Sequence, residues 1–235
     1  AEREALLRLA AQGTPAYVYH LPTVAEQARK ISSIEALDRR FYAIKANPHP
    51  AILQTLARYG FCFECVSVGE LRHVLKHLPE LSKDRLLFTP SFASRADYQA
   101  ASSLAQWLTV DSLYPLQHWP ELFHDRSIVL RLDPGCVLGH HQHVKTGGID
   151  SKFGLALVDL PAFVRLAGKV GARIDVLHAH VGSGVTDKAH WANLFAQLAG
   201  QADAIGTVKA INLGGGWGVP YGDDDEALDT DALAD

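Results

Sequence analysis

The chain has 235 residues, of which 48% are hydrophobic and 20% charged, and its formal net charge is −4. This length suits one large α/β domain or two small ones, and the composition is that of an ordinary globular protein. The weakly acidic charge argues against nucleic-acid binding, and the chain contains neither an apolar run of about 18 residues nor a signal-peptide pattern, so we expect no nucleic-acid or membrane partner. The three cysteines favour a reducing compartment, and hence the cytoplasm.

Short β-like runs alternate with amphipathic helical stretches along the chain. Strands are predicted at Phe41–Ala46, Cys62–Ser67, Leu86–Pro90, Trp107–Asp111, Ile128–Asp133, Ile174–Val181 and Ala210–Gly214. Gly60 is predicted to follow the end of one helix, and Ser67 and Asp187 to begin two others. The strands recur at intervals of roughly 20 to 24 residues, which predicts repeated βα units, a parallel sheet and most of a (β/α)8 TIM-type barrel. The stretch Ala16–His20 could be an eighth strand or could lie outside the barrel.

Cys62 and Cys65 form a C-x-x-C motif, a pattern that can bind metal or carry redox chemistry. Both lie within one predicted strand, where residues three apart point to opposite faces of the sheet. We therefore interpret them as buried core thiols.

In a barrel of this kind, functional residues lie at or just after the carboxyl ends of the strands. Residues with suitable chemistry occupy these positions, namely Lys45, Glu64, Ser67, Arg131, His178, His180 and the run Gly214–Gly216. The regular spacing breaks only between Asp133 and Ile174, where a long loop rich in glycine and histidine is inserted. Such loops are common places for binding sites.

The segment "INLGGGWGVPY" contains three glycines directly after a strand. Without side chains, main-chain N–H groups can surround a phosphate, so the run is a candidate anion site. It lacks the GxGxxG spacing of a dinucleotide site and the GK[ST] of a nucleoside triphosphate site. The alternative is a tight turn with no ligand.

The segment "HAHVGSG" is open to two interpretations. His178 and His180 are two apart on the predicted strand, so they should face the same way and could hold zinc, with His140, His141 and His143 as further ligands. No acidic bridging ligand follows a later strand, so we expect no metal and interpret the other three histidines as polar loop residues. A neutral His180 imidazole packed on an aromatic ligand fits the sequence equally well.

A lysine at a strand end, a glycine-rich anion site and a histidine at the barrel mouth together match the needs of pyridoxal 5'-phosphate. The amine of Lys45 can form the Schiff base, main-chain N–H groups can hold the phosphate, and an imidazole can cover the ring.

Four segments, "FYAIKANPHPAILQTLARYGFCFECVSVGEL", "SKFGL", "HAHVGSG" and "NLGGGWGVPY", resemble in this order the fold-type III pyridoxal-phosphate decarboxylases, which share an alanine racemase-like barrel. Within that family the resemblance is closest to the diaminopimelate decarboxylases, and it extends from "GTPAYVYHL" over nearly the whole chain. It implies decarboxylation of an amino-acid substrate, meso-diaminopimelate, to lysine. The alternatives are decarboxylation of ornithine, arginine or carboxynorspermidine, and a pyridoxal-phosphate-binding barrel without catalysis.

The same resemblance implies individual roles. Lys45 is similar to the Schiff-base lysine, and His180 to the histidine that stacks on the cofactor ring. Glu64 stands where relatives commonly have aspartate near these two residues. Glu70 also aligns with a family glutamate, although a helix-capping role explains it equally well. The remaining cofactor-binding residues implied are Arg131, Ser183, Gly214, Gly215 and Gly216.

The chain also departs from the family. The E-P-G-R motif, whose glutamate keeps the pyridine nitrogen protonated, is absent, as are the C-terminal β domain and its tyrosine. We therefore expect residues 1–235 to be an incomplete barrel domain, with an N-terminal helix and strand in 1–25, barrel βα units in 41–216 and the start of a loop and helix in 217–235. We expect a longer protein to be a homodimer, and the 235-residue chain alone to decarboxylate poorly.

Overall fold

The computed structural model describes residues 2–135, 152–222, 228 and 229. Its helices are α1 (Glu2–Ala10), α2 (Leu21–Ser32), α3 (Pro50–Arg58), α4 (Val68–His77), α5 (Arg95–Leu104), α6 (Tyr114–His118), α7 (Leu160–Val170) and α8 (Lys188–Ile205). Its strands are β1 (Phe41–Ala43), β2 (Cys62–Cys65), β3 (Leu86–Phe88), β4 (Trp107–Val110), β5 (Ser127–Asp133), β6 (Leu155–Ala156), β7 (Arg173–His178) and β8 (Ala210–Asn212).

Several helix ends follow directly from local chemistry. Gly60 adopts a left-handed conformation (φ 80°) just after α3, as predicted for a residue that ends a helix. At the start of α4, the Ser67 hydroxyl accepts a hydrogen bond from the Glu70 N–H (3.1 Å), and the Glu70 carboxylate accepts one from the Val66 N–H (2.7 Å). Asp187 similarly accepts from the Ala189 N–H (2.9 Å) and begins α8. The helix starts predicted at Ser67 and Asp187 are therefore confirmed.

All strand pairs in the described residues are parallel, in the order β1-β2-β3-β4-β5-β7-β8, with the two-residue β6 paired to β5. Helices connect the successive strands from β1 to β5 and from β6 to β8, which is the βα repeat expected from the spacing. Within this part of the chain, β1 and β8 each have one neighbouring strand and do not pair with each other. The fold is a TIM-type barrel that is open between its first and last described strands.

The stretch Ala16–His20 does not form an eighth strand, and the N-terminal strand expected within residues 1–25 is absent from the described residues. This segment lies on the surface before α2, with Tyr17 91% exposed, and no neighbouring strand offers it hydrogen bonds. A short apolar run forms a strand only where such a partner exists. Residues 217–222 are not helical, and most of the rest of the predicted C-terminal loop and helix lies outside the described residues, as do His140, His141 and His143.

The inner strands β2 to β5 and β7 are mostly buried, as their continuous apolar runs predict for a parallel sheet covered by helices, whereas β1 and β8 at the open edges are only partly buried. Phe63, Phe88 and Leu130 on three strands are fully buried. Burial of each such side chain contributes roughly 1.5–3 kcal/mol. Cys62 and Cys65 are both buried free thiols, which confirms that they belong to the core.

One irregularity changes the register between β5 and β7. Ser127 pairs with Arg173 and Ile128 with Ile174, but Val129 pairs with Val176, so Asp175 is an extra residue in β7. The buried Asp175 carboxylate accepts from the Ser127 hydroxyl (2.7 Å) and from Lys209 Nζ (3.0 Å). Beyond this bulge, Arg131 pairs with His178.

Substitution of Gly154 would test the close packing between β6 and β5. Its φ is +83°, and an added Cβ would lie 2.7 Å from the Leu132 carbonyl carbon. We expect Gly154→Ala to lower the free energy of unfolding by roughly 1–3 kcal/mol in urea titrations, because the backbone is strained and the space is filled. Gly200→Ala is the matched control, since Gly200 lies within α8 with nothing near its Cβ position. That change should raise stability by about 0.5–1 kcal/mol, and equal effects at both sites would contradict this view of β6.

Candidate active site

The parallel strands bring their carboxyl ends to one edge of the sheet, where the predicted site residues lie. Lys45 is in a single 3-10 turn, Ile44–Ala46, directly after β1. Ile44 is fully buried and anchors this turn, whereas Lys45 is exposed. The Tyr42 hydroxyl donates to the Asn47 carbonyl (3.2 Å), and Asn47 Oδ1 accepts from the His49 N–H (3.0 Å). The predicted strand Phe41–Ala46 therefore ends at Ala43, and a fixed turn presents the lysine amine.

Glu64 and Arg131 are charged residues near this lysine. Glu64 on β2 pairs in register with Ala43, and burial raises its pKa, against the lowering effect of the positive charges on Lys45 and Arg131. Arg131 is only 8% exposed, and its guanidinium lies 4.8 Å from the centre of the Phe153 ring. Burial lowers the pKa of Arg131, while the carboxylates of Asp111, Glu64 and Asp133 oppose that shift. The site thus combines buried charges of both signs.

The two histidines differ in position, because β7 ends at His178 and His180 lies in the following loop. His178 is 2% exposed, and its Nδ1 is 3.1 Å from the Asn212 carbonyl oxygen. Burial first, and then the nearby positive charge of Arg131, lower the pKa of His178 to about 3. Burial, Arg131 and Lys45 together lower the pKa of the half-buried His180 to about 4. Both imidazoles are neutral at physiological pH.

Two loops pack against each other at the ends of β7 and β8. We call Ala179–Gly184 the histidine loop and Gly214–Gly216 the glycine loop. Gly214 has φ +74°, and a Cβ there would lie 2.5 Å from the Ala179 carbonyl oxygen. A Cβ on Gly216 (φ +105°) would lie 1.9 Å from the Gly182 carbonyl oxygen. Both glycines are therefore required by this contact between main chains.

Gly215 differs from its two neighbours, because nothing lies within 4 Å of its Cβ position and it is exposed. His180 makes a hydrogen bond with the Gly215 main chain that raises the pKa of the imidazole, so the ring is paired with the accepting carbonyl. Ser183 is exposed in the adjoining loop, and its Cα would lie 3.2 Å from a Cβ on Gly216. The predicted phosphate-site residues thus lie side by side, with open space above Gly215.

These residues fit pyridoxal 5'-phosphate. Gly215 leaves open space beside the main chain of the glycine loop, a neutral imidazole adjoins it, and a lysine amine lies at the same edge of the sheet. For zinc the fit is poor, since in the part of the chain that the structure describes no three His, Cys, Asp or Glu residues are grouped as metal ligands require.

Two residues close to this cluster were not singled out from the sequence. Asp111 follows β4, and its carboxylate interacts electrostatically with Arg131. Asn212 is the last residue of β8 and pairs with His178. Each is a polar residue at the end of an apolar run, and this is the pattern that drew attention to Lys45 and Arg131. Glu70 is explained by its bond to the Val66 N–H.

Comparison with known proteins identifies the family. Residues 22–235 match the family described as pyridoxal-dependent decarboxylase, pyridoxal binding domain. Diaminopimelate decarboxylase of Escherichia coli K12 is 32% identical over 232 residues, which cover 97% of this chain and 54% of that protein. The diaminopimelate decarboxylase of Deinococcus radiodurans is 30% identical over 205 residues, covering 87% of this chain and 53% of that one. The chain therefore spans about half the length of these curated relatives.

Solved structures agree with this assignment. A diaminopimelate decarboxylase of Helicobacter pylori, complexed with L-lysine, superposes with a TM-score of 0.86 at 26% identity, covering 99% of this chain and 61% of that one. A lysine/ornithine decarboxylase of Vibrio vulnificus, at 22% identity and a TM-score of 0.79, shares the fold. The chain belongs to the pyridoxal-dependent decarboxylases and covers their pyridoxal-binding domain, so its cofactor is pyridoxal 5'-phosphate. Among its described helices, none has the length and apolar character needed to cross a bilayer.

The buried neutral imidazoles predict a pH dependence of stability. Unfolding returns His178 to its ordinary pKa near 6.5, so below that pH the unfolded chain binds a proton that the native state does not. The free energy of unfolding should therefore fall as the pH drops from about 6.5 towards about 3. His178→Gln cannot take up this proton, and from pH 7 to pH 5 it should lose about 2 kcal/mol less than the unsubstituted protein in urea titrations. Parallel pH curves would contradict a buried neutral His178.

Proposed function

We propose that this chain carries pyridoxal 5'-phosphate on Lys45 and serves in the decarboxylation of meso-diaminopimelate to lysine. The observation that carries the proposal is the meeting of a lysine amine, a neutral imidazole and a side-chain-free glycine loop at one edge of the sheet. The diaminopimelate decarboxylases that match most of the chain support the choice of substrate. The L-lysine complex of the Helicobacter pylori relative is consistent with lysine as product.

When bound, the cofactor supplies an aldehyde that attaches an amine covalently and a ring that takes up the electrons left by departing carbon dioxide. Lys45 provides the amine from its fixed turn after β1. The glycine loop and Ser183 bind the phosphate, and neutral His180 covers the ring without adding positive charge. Arg131 holds a fixed positive charge beneath the site, and Glu64, with its raised pKa, can hold a proton close to Lys45 Nζ.

Several wider features belong to the same proposal. Relatives with this activity are biosynthetic enzymes, so we propose a role in lysine synthesis in the cytoplasm, consistent with the free core thiols Cys62 and Cys65. We also propose that the functional protein is a homodimer. Size-exclusion chromatography with light scattering would test the assembly, and a monomer at micromolar concentration would contradict it.

Attachment of the cofactor to Lys45 can be tested directly. Incubation with pyridoxal phosphate should produce a visible absorbance band, and borohydride reduction should leave the cofactor on the peptide that contains Lys45. Lys45→Ala should abolish both signals, because no other amine is proposed at the site. Lys76→Ala, on an exposed position of α4, is the control and should retain them. Equal labelling of the Lys45→Ala variant would refute the assignment.

Substrate choice is tested by carbon dioxide release. In single-turnover experiments with cofactor-loaded protein, meso-diaminopimelate should release carbon dioxide faster than ornithine or arginine, and lysine should be the product. Faster release from ornithine or arginine would favour a decarboxylase of polyamine precursors. Cofactor binding with no release from any of the three would favour a barrel that binds pyridoxal phosphate without catalysis.

A further inference from the structure

We propose that Asn212 is the positioning residue of the glycine loop, and that its side-chain oxygen sets the affinity of the site for a phosphate group. The inference rests on the proposed role of the glycine loop in holding the cofactor phosphate. It concerns a residue that contributes no direct contact in that proposal and acts only through the conformation of the main chain beside it.

Asn212 uses its two oxygen atoms for separate purposes. Its main-chain carbonyl accepts from the Ala179 N–H (3.1 Å) and lies 3.1 Å from His178 Nδ1, and these contacts fix the end of β8 against β7. Its side-chain Oδ1 accepts from the Gly214 N–H (2.9 Å), two residues further along the chain. The side chain also forms a hydrogen bond with His178 that raises the pKa of that imidazole. A substitution at Asn212 can therefore remove these two side-chain contacts while the main-chain contacts remain.

The bond from Asn212 to Gly214 is an Asx turn, in which an asparagine side chain takes the place of a backbone turn. The turn leads into a main chain whose φ angles alternate: positive at Gly214, outside the positive range at Gly215 and positive again at Gly216. A change in the sign of φ between successive residues is one feature of an anion nest, in which successive N–H groups point to one side. Asn212 holds the first of these residues in place.

The other end of the glycine loop is held independently. The Gly216 carbonyl accepts from the Val185 N–H (3.0 Å), and the Gly218 N–H donates to the Val185 carbonyl (2.9 Å). In the middle, the Gly215 carbonyl is paired with the His180 ring. Because C=O and N–H of a trans peptide point in opposite directions, the Gly216 N–H is directed away from that ring. Within the described residues, the side chain of Asn212 therefore holds the entry to the loop at Gly214, and the ring of His180 holds its middle.

The chemistry of the amide explains why asparagine suits this position. Its oxygen accepts a hydrogen bond without carrying a charge, whereas aspartate would form the same turn but place a negative charge close to a bound phosphate. Leucine has nearly the same shape as asparagine and offers no acceptor. Comparing asparagine with leucine therefore tests the hydrogen bond at nearly constant shape, and comparing asparagine with aspartate tests the charge while the hydrogen bond is kept.

The test compares pyridoxal 5'-phosphate with pyridoxal, which lacks the phosphate, by measuring both dissociation constants from the visible absorbance. The ratio of the two constants reports the contribution of the phosphate site alone. Asn212→Leu should reduce this ratio about tenfold, the effect expected when one hydrogen bond is lost. Its affinity for pyridoxal should stay the same. Asn193→Leu is the matched control on the exposed side of α8 and should leave the ratio unchanged.

Asn212→Asp keeps the acceptor and should retain more of the phosphate preference than Asn212→Leu. Any reduction of the ratio in Asn212→Asp comes from repulsion between its carboxylate and the phosphate. That reduction should therefore be smaller at about 0.5 M salt, where the Debye length is about 4 Å. If the leucine variant does not fold, Asn212→Ala, which also lacks the acceptor, decides, and an unchanged ratio in that variant would overturn the inference.

The outcomes separate this inference from the proposed function. If the unsubstituted protein shows no preference for the phosphate-bearing ligand, the proposed phosphate site fails and the role of Asn212 fails with it. If the preference exists but Asn212→Leu retains it, only the role of Asn212 fails. Equal weakening of both ligands would show a general loss of structure and would also overturn it.

Discussion

The extra residue in β7 is the constraint on which the site depends. Without Asp175 as a bulge, the register that begins at Ser127 and Arg173 would place Arg131 opposite Leu177 rather than His178. A shift of one residue turns every later side chain of a strand to the other face of the sheet. The buried Asp175 carboxylate is held by Ser127 and Lys209 at the amino-terminal side of the sheet. Contacts far from the site thereby bring Arg131 and His178 together.

This register has electrostatic consequences. Arg131, His178 and Asn212 lie in one row across β5, β7 and β8. Burial next to the Arg131 charge keeps His178 neutral, so the row carries one positive charge rather than two. The carboxylates of Glu64 on β2 and Asp111 after β4 offset that charge, which makes the buried guanidinium tolerable. The main chain continues from the row into two loops that contact each other so closely that side chains are excluded at Gly214 and Gly216.

Much of the fold could be predicted because each element carries a local signal. Apolar runs mark β2, β3 and β5, and Ser67 and Asp187 mark helix starts through hydrogen bonds to N–H groups two or three residues away. Of the two alternatives for Ala16–His20, the eighth strand is not formed and the segment lies outside the sheet, since a short apolar run describes a possible strand but says nothing about a neighbour to pair with. His180 was expected to share a strand face with His178, yet β7 ends before it and the loop determines where it points.

The sequence by itself determined which chemical groups are available at the strand ends, because residues after apolar runs in a βα repeat must lie at one edge of a parallel sheet. It therefore identified Lys45, Arg131 and the glycine loop. Only the tertiary structure decided which of those groups meet, which glycines are needed for packing and which one faces open space. Those properties depend on a bulge at Asp175, on the side chain of Asn212 and on contacts between loops separated by more than thirty positions. A local sequence pattern does not specify contacts between residues that are so far apart along the chain.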